Sequence, residues 1–414
     1  MTNKYKVIGI VSEYNPFHSG HKHQIETIKK EYDNPYIISF MSGEFVQRGA
    51  AAIVDKYARA TMAVKNGADL CIQLPTFFST QVAQIFAKGA INTLNSLGIV
   101  DAIHFGSETG DITLLESQSK KIENSYPSIY SDTILDEKNL PLNTLIKNNN
   151  KSGKSFIKIF SENNGNLPDM SNDILAIEYI KALKYFNSNI VPLTMKRHVS
   201  SHNEVSINKE FASSTAIRNS IHESMLTDKS PENIFKFLPE NSLIDFKEKK
   251  YIFDEHFFEM IKFQIISNKE NLKDIFEISE GLENRILKFV DTAKTYEDLI
   301  FSIKSKRYTL ARIRRIMFNI LLDIQKSQID TIKASGYKIP YIKILAFNDR
   351  GRYIIKKIKQ KNNVEIINKF ANYKPYDEYS TLFYEKDLLA NRIYNITITK
   401  YKSLDYFTSP SYIK

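Results

Sequence analysis

The 414-residue chain carries 57 Lys plus Arg against 47 Asp plus Glu, a formal net charge of +10. Hydrophobic residues make up 42% and charged residues 25%, which excludes a disordered chain, and the length favours two domains over one core. The single cysteine, Cys71, excludes an intrachain disulfide and argues against a Cys-based zinc site. No run of about 18 apolar residues could span a bilayer, and the first residues lack a signal peptide's apolar stretch, so a reducing cytoplasm is expected. The basic surplus favours a polyanionic partner. An AT-rich genome, which raises Lys, Asn and Ile together, would produce such a surplus as well.

The first hundred residues alternate regularly. KVIGIVSEY (6–14) is a short apolar run rich in β-branched residues and predicts a buried strand. NPFHSG reads as a loop and HKHQIETIKKEY as a helix. PYIISFM (35–41) predicts a second strand. Asp55 before KYARATMAVKN and Gly67 after it are helix start and stop signals. ADLCIQLP (68–75) predicts a third strand, 79–97 a helix closed by Gly98, and DAIHFGS (101–107) a fourth strand. This alternation predicts a parallel, doubly wound α/β sheet, whose ligands bind at the carboxyl ends of its strands.

Residues 124–170 are rich in Ser, Asn and Lys and read as an insertion. A helix over 172–186 and a strand over 190–196 follow, and then SSTAIRNSI opens another helix. From about 228 the pattern is mainly helical, with many Lys, Tyr and Phe. The segment IPYIKILAF suits a strand or a short buried helix equally.

Two local signals carry chemistry. His18-Ser19-Gly20-His21 directly follows the first strand and opens the first helix. A helix start offers unpaired backbone N–H groups and partial positive charge, Gly20 allows close approach of a phosphate, and two imidazoles can stabilise charge on an α-phosphate. Packed or capping histidines are the bland reading. The second signal is Ser213-Ser214-Thr215-Ala216-Ile217-Arg218. The hydroxyls of Ser214 and Thr215 can cap a helix or bind phosphate oxygens, with Arg218 clamping the β- and γ-phosphates. Together the two signals resemble the HxGH nucleotidyltransferases, which attack the α-phosphorus of ATP and release pyrophosphate.

Longer blocks narrow the resemblance. Glu13-Tyr14-Asn15-Pro16-Phe17-His18-Ser19-Gly20-His21, Met41-Ser42-Gly43-Glu44-Phe45-Val46-Gln47-Arg48-Gly49, Asp55-Lys56-Tyr57-Ala58-Arg59 and Phe105-Gly106-Ser107-Glu108 resemble the bacterial tRNA(Met) cytidine acetate ligase family. Ser171-Asn172-Asp173-Ile174-Leu175 and Lys306-Arg307-Tyr308-Thr309 with Arg312 and Arg315 are similar to it as well. The likeness runs from about residue 5 to 350.

The resemblance implies that ATP and acetate give acetyl-adenylate, whose acetyl group passes to N4 of the wobble cytidine of elongator methionine tRNA. By matching position it implies an ATP site of Val11, Ser12, Glu13, Tyr14, Asn15, Pro16, Phe17, His18, Ser19, Gly20, His21, Lys22, His23, Gln24, Gly106, Asn172 and Arg197. His18, His21 and Arg218, with a Mg²⁺ ion, would neutralise charge during attack. Asn172 also suits a plain helix start, and Arg197 a surface charge. Gln47, Arg48 and Lys56 are candidates for the acetate pocket, each equally readable as a surface or salt-bridge residue. Residues 1–227 then form a nucleotidyltransferase-like domain interrupted at about 124–170, and 228–414 a helical, basic tRNA-binding region.

Lys304, Lys306, Arg307, Arg312, Arg314 and Arg315 cluster with no acid among them. Tyr308, Arg312 and Arg315 share a helix face, expected either to contact RNA phosphates and an unpaired base or to be a solvated basic face. Arg350, Arg352, Lys356, Lys357, Lys359 and Lys361 form a second basic group, read as a phosphate-tracking patch or ordinary surface. Two rivals remain at this point. A small-metabolite nucleotidyltransferase is usually much shorter and lacks a basic helical half. A non-catalytic RNA-binding protein is disfavoured by the intact HxGH and SSTxIR.

Overall fold

The structure is a computed structural model and describes residues 5–125, 171–197, 212–227, 231–279, 281–305, 307–398 and 404–414. Eight strands form one sheet in the order β10-β8-β5-β2-β1-β6-β7, with β9 also on β8. They are β1 (Val7–Ser12), β2 (Tyr36–Ser42), β5 (Leu70–Leu74), β6 (Ala102–Ser107), β7 (Val191–Lys196), β8 (Tyr341–Phe347), β9 (Glu365–Ile367) and β10 (Ser411–Tyr412). β3 (Phe45–Val46) and β4 (Ala50–Ala51) make a separate antiparallel hairpin. Every pairing in the main sheet is parallel except β5 with β8.

Strand alternation explains the layers. Ile8, Ile10, Ile37 and Met41 are buried with Ile25, Ile28, Ile217 and Ile221 on one face. Val7, Ile38, Phe40, Leu70 and Ile72 are buried with Ile85, Leu94, Ile177 and Leu183 on the other. The chain builds β1, β2 and β5 in one direction, then returns to place β6 on the far side of β1. That reversal opens a crevice at the carboxyl ends of β1 and β6, where doubly wound sheets bind ligands.

Most local signals act as read. Asp55 caps the helix Lys56–Lys65 by accepting from the Ala58 amide at 2.9 Å. Gly98 closes the helix Ala83–Leu97 at φ 64°, in the left-handed region glycine favours. The helix expected over 79–97 starts only at Ala83, after a short helix, Thr76–Ser79. The insertion expected at about 124–170 lies almost wholly outside the described residues. The C-terminal part is mainly helical, yet an expected boundary near residue 227 does not divide the sheet. IPYIKILAF supplies β8, which pairs antiparallel with β5, and β9 and β10 follow on it. Among the described residues no helix is long and apolar enough to cross a membrane.

A buried charge cluster ties the two ends of the chain together. The Lys56 ammonium contacts the Glu44 carboxylate at 3.0 Å, the Gln73 amide oxygen at 2.6 Å and the Asp405 carboxylate. The Tyr57 hydroxyl donates to Asp405 at 2.8 Å, and Asn391 donates to Glu44 at 2.7 Å. Each buried charge thus has an opposite charge and a neutral donor or acceptor, the condition under which burial is tolerated.

Candidate active site

The site starts where β1 ends. Tyr14 sits at φ 46°, a strained backbone for a non-glycine residue, with its hydroxyl 2.8 Å from that of Ser39. Asn15 joins this loop to the β4 region: its amide donates to the Ala51 carbonyl at 3.2 Å and accepts from the Ile53 amide at 2.7 Å. Phe17 is buried against Tyr14. The helix α1 (Ser19–Glu31) then begins with His18 as its N-cap.

The backbone fixes both histidine tautomers. His18 Nδ1 accepts from the Gly20 amide at 3.0 Å, and His21 Nδ1 accepts from the His18 amide at 3.2 Å. An Nδ1 that accepts is unprotonated, so each neutral ring carries its proton on Nε2. The rings stack at 3.9 Å. Burial, then the Arg197 and Arg218 guanidinium groups, lower the His18 pKa to about 3. Burial, then His18 and Arg197, hold His21 well below its usual value. Both rings are therefore neutral N–H donors across the physiological range. A Cβ on Gly20 would stand 2.9 Å from His18 Cε1, so a side chain there would crowd the ring.

The second phosphate-type element meets the first. Ser213 caps the helix Ser214–Thr227 by accepting from the Ala216 amide at 3.1 Å. Arg218, one turn in, donates to the Asn15 carbonyl at 2.6 Å and to the Thr215 hydroxyl at 3.3 Å. Ser214 and Thr215 are half-buried at this helix start. Ser19 is held from the other side, its amide and hydroxyl both donating to the Phe237 carbonyl at 2.9 and 2.8 Å.

The opposite wall is the end of β6. Gly106 lies under the Arg197 stem, where a Cβ would meet Arg197 Cγ at 2.9 Å. Asn172 donates to Glu108 at 2.6 Å, and the Glu108 amide donates to Asp173 at 2.8 Å, which locks the start of the helix Ser171–Tyr185 to the β6 loop. Gln24, further along α1, donates to the His104 carbonyl at 3.3 Å, and its amide nitrogen lies 3.1 Å from the His104 ring. Lys22 pairs with Glu26 at 3.7 Å, and His23 is half-buried beside it. Val11 and Ser12 end β1, and Glu13 accepts from the Gln47 amide at 3.0 Å.

These features place the chain among proteins of known kind. A family model described as HIGH Nucleotidyl Transferase matches residues 5–406. A Clostridium perfringens protein named tRNA(Met) cytidine acetate ligase is 37% identical over 98% of both chains. The chain belongs to the tRNA(Met) cytidine acetate ligase family. A Thermoanaerobacter relative of the same name is 38% identical over 94% of this chain and 95% of its own. The crystal structure of Thermotoga maritima TmcAL, 29% identical, superposes with a TM-score of 0.82 over 99% of both chains, and a second form with the same score is bound with alpha-thio ATP.

The basic face expected to meet RNA is differently used. The helix Leu310–Leu321 buries Ile313, Ile316 and Met317 as its period requires. Tyr308 is buried too, its hydroxyl donating to the Ser279 carbonyl at 3.2 Å, so its ring is no stacking platform. Arg312 lies 5.3 Å over that ring and donates to the Glu277 carbonyl and the Ser279 hydroxyl, both at 2.8 Å. Arg315 makes a bidentate pair with the largely buried Glu277 carboxylate, both contacts 2.8 Å. Arg314 binds Asp254 and Glu297. Tyr308, Arg312 and Arg315 thus hold the fold together rather than present an open face. Lys304 and Arg307 are exposed, and Lys306 lies outside the described residues.

Lys56 leaves the acetate candidates for the same reason, being sealed between Glu44 and Asp405. The residue sequence reasoning passed over is Arg59. It is fully buried and donates to the carbonyls of Val54 at 3.0 Å, Glu13 at 2.6 Å, Ser42 at 3.1 Å and Gly43. It thereby joins the loops that end β1 and β2. Its place in the Asp55–Arg59 block was the only signal available.

Proposed function

We propose that the chain is an ATP-dependent ligase that activates acetate and acetylates N4 of the wobble cytidine of elongator methionine tRNA. The observation that carries the ATP half is the contact between Arg218 and the Asn15 carbonyl at 2.6 Å, which brings both phosphate-type elements to one crevice. The triphosphate would lie across the α1 start, on the His18 and His21 Nε2–H donors, the Gly20 amide, and the Ser214, Thr215 and Arg218 cluster. The adenosine end would rest against Gly106, Asn172 and Arg197.

In the first step an acetate oxygen forms a bond to the α-phosphorus, and the bond to the β-phosphate oxygen breaks with its electron pair leaving on pyrophosphate. Neutral donors and guanidinium groups stabilise the charge as it shifts, without a base. In the second step the cytosine amine attacks the acetyl carbonyl, AMP leaves, and the amine gives up a proton. Exclusion of water from the site would protect the activated acyl group. Among the described residues no group of three or more His, Cys, Asp or Glu could hold a metal. A Mg²⁺ ion bound with the nucleotide would supply further charge neutralisation on the triphosphate. Lys304 and Arg307, the exposed members of the first basic cluster, would meet RNA phosphates.

Pyrophosphate release from ATP tests this reading against its rivals. The expected result is release that requires acetate. Release that requires a phosphorylated metabolite instead, or none with or without tRNA, would replace the proposal by one of the two rivals.

A further inference from the structure

Three arginines stand at the ends of β1 and β6: Arg218 on the Asn15 carbonyl, Arg197 over Gly106 and Arg48 on Ser171. Among the described residues Arg48, Arg197 and Arg218 have no carboxylate within ion-pair distance, whereas Arg315 and Arg350 each have one and Arg314 has two. Among the described residues the one hydrogen bond of the Arg48 side chain is to the Ser171 hydroxyl, at 3.2 Å. The nearby acids are otherwise engaged: Glu13 accepts from the Gln47 amide, and Glu108 accepts from Asn172 and the Asp173 amide. Glu108 lies near Arg197, and Glu13 and Asp254 near Arg218, without pairing with them, so an arriving anion would supply the direct partner these guanidinium groups lack. Arg48 bridges the ends of the two strands: Gln47 beside it is held to Glu13 after β1, and its guanidinium reaches Ser171, next to Asn172, which binds Glu108 after β6.

The turn that carries Arg48 is rigidly placed. Gln47 is fixed to the end of β1 through Glu13 at 3.0 Å. Gly49 adopts φ 68°, and a Cβ there would stand 2.3 Å from the Arg315 backbone nitrogen, so only glycine lets the turn lie on the helix Leu310–Leu321. The Ala51 amide donates to Asp254 at 2.8 Å, which also binds Arg314. The basic helix thus serves to aim this turn at the carboxyl ends of β1 and β6.

We propose that Arg48 is the carboxylate-recognising residue, gripping acetate beside the α-phosphate. This rests on the proposed function. Arg218 sits with Thr215 at the phosphate-type helix start, and Arg197 lies over Gly106 at the end of β6. The third guanidinium, on the turn tied to the end of β1 and reaching Ser171, is left for the second anionic substrate. Its planar fork matches a carboxylate with two parallel hydrogen bonds and fixes the attacking oxygen, which a lysine ammonium cannot do as well.

The test is ATP–pyrophosphate exchange with acetate varied, on the full chain, for Arg48→Lys and Arg48→Gln, alongside direct ATP binding and the thermal midpoint. The expected result is a rise of about 10- to 100-fold in the acetate KM, as for the loss of one charge-assisted contact. ATP affinity should stay within about 3-fold, with Arg48→Lys the milder variant. An unchanged acetate KM, or ATP affinity falling as far as acetate KM rises, overturns the assignment of Arg48. Absence of acetate-dependent exchange in the unsubstituted protein would instead overturn the proposed function.

Discussion

His21→Ala is expected to lower acetyl-adenylate formation by at least about 10³-fold while tRNA affinity is kept, as measured by pyrophosphate exchange and by filter binding. One preorganised donor to a developing anion is worth about 10²–10³ in rate, and His21→Ala also releases the stacked His18 ring. The same substitution removes the acceptor for the His18 amide, so a cap loss of about 1 kcal/mol accompanies it. His21→Asn separates the two effects. An asparagine oxygen can still accept from that amide, but the distant Nε2–H is gone. The rate should fall for both variants, and the thermal midpoint mainly for alanine.

The pH dependence follows from the same geometry. Both rings have folded-state pKa values below their unfolded ones. At neutral pH neither state is protonated, so stability is full there. As the pH falls through about 6.5 the unfolded chain takes up protons the folded chain refuses, and stability declines toward about 3, the folded value for His18. The exchange rate should accordingly show no acid limb near pH 6.5. A limb there would mean that a histidine acts as a base.

Arg59→Met should strongly destabilise the fold, because Arg59 is fully buried. Methionine fills much of the space but leaves four carbonyl oxygens, on Val54, Glu13, Ser42 and Gly43, without their donor. Each buried acceptor left unpaired costs about 1–3 kcal/mol, and partial relaxation brings the sum to roughly 4 kcal/mol. That is a large share of a typical stability of about 5–15 kcal/mol. The urea midpoint should fall markedly, and ATP binding should weaken even in native buffer, because the loops after β1 and β2 lose their shared anchor. Arg59→Lys should rescue little, since a compact ammonium cannot span four acceptors. A midpoint unchanged by Arg59→Met would show that the carbonyls find water.

The architecture around the crevice was legible because local signals and tertiary demands agree there. Apolar β-branched runs became β1, β2, β5 and β6, and Asp55 and Gly98 punctuated helices as such residues do. The ambiguity of IPYIKILAF has a physical source. A strand buried on both faces shows no alternation, and its antiparallel partner β5 lies about 270 residues earlier. Nothing local encodes that pairing. The basic helix misled for a related reason: a run of arginines looks the same whether its partners are phosphates or carbonyls and a glutamate such as Glu277, which lies 38 residues from Arg315. Arg59 was invisible because a charged residue on a helix is ordinarily solvated. The HxGH block was readable as a place for phosphate, but the fixed tautomers and the neutral state of both rings required the backbone contacts.

Acetyl transfer from an adenylate to one nucleoside is read directly by mass spectrometry of nucleosides from elongator methionine tRNA incubated with the protein, ATP and labelled acetate. Labelled N4-acetylcytidine is expected at the wobble position, formed only with ATP and without any thioester donor. Unlabelled or absent N4-acetylcytidine, with ATP left intact, would contradict that transfer.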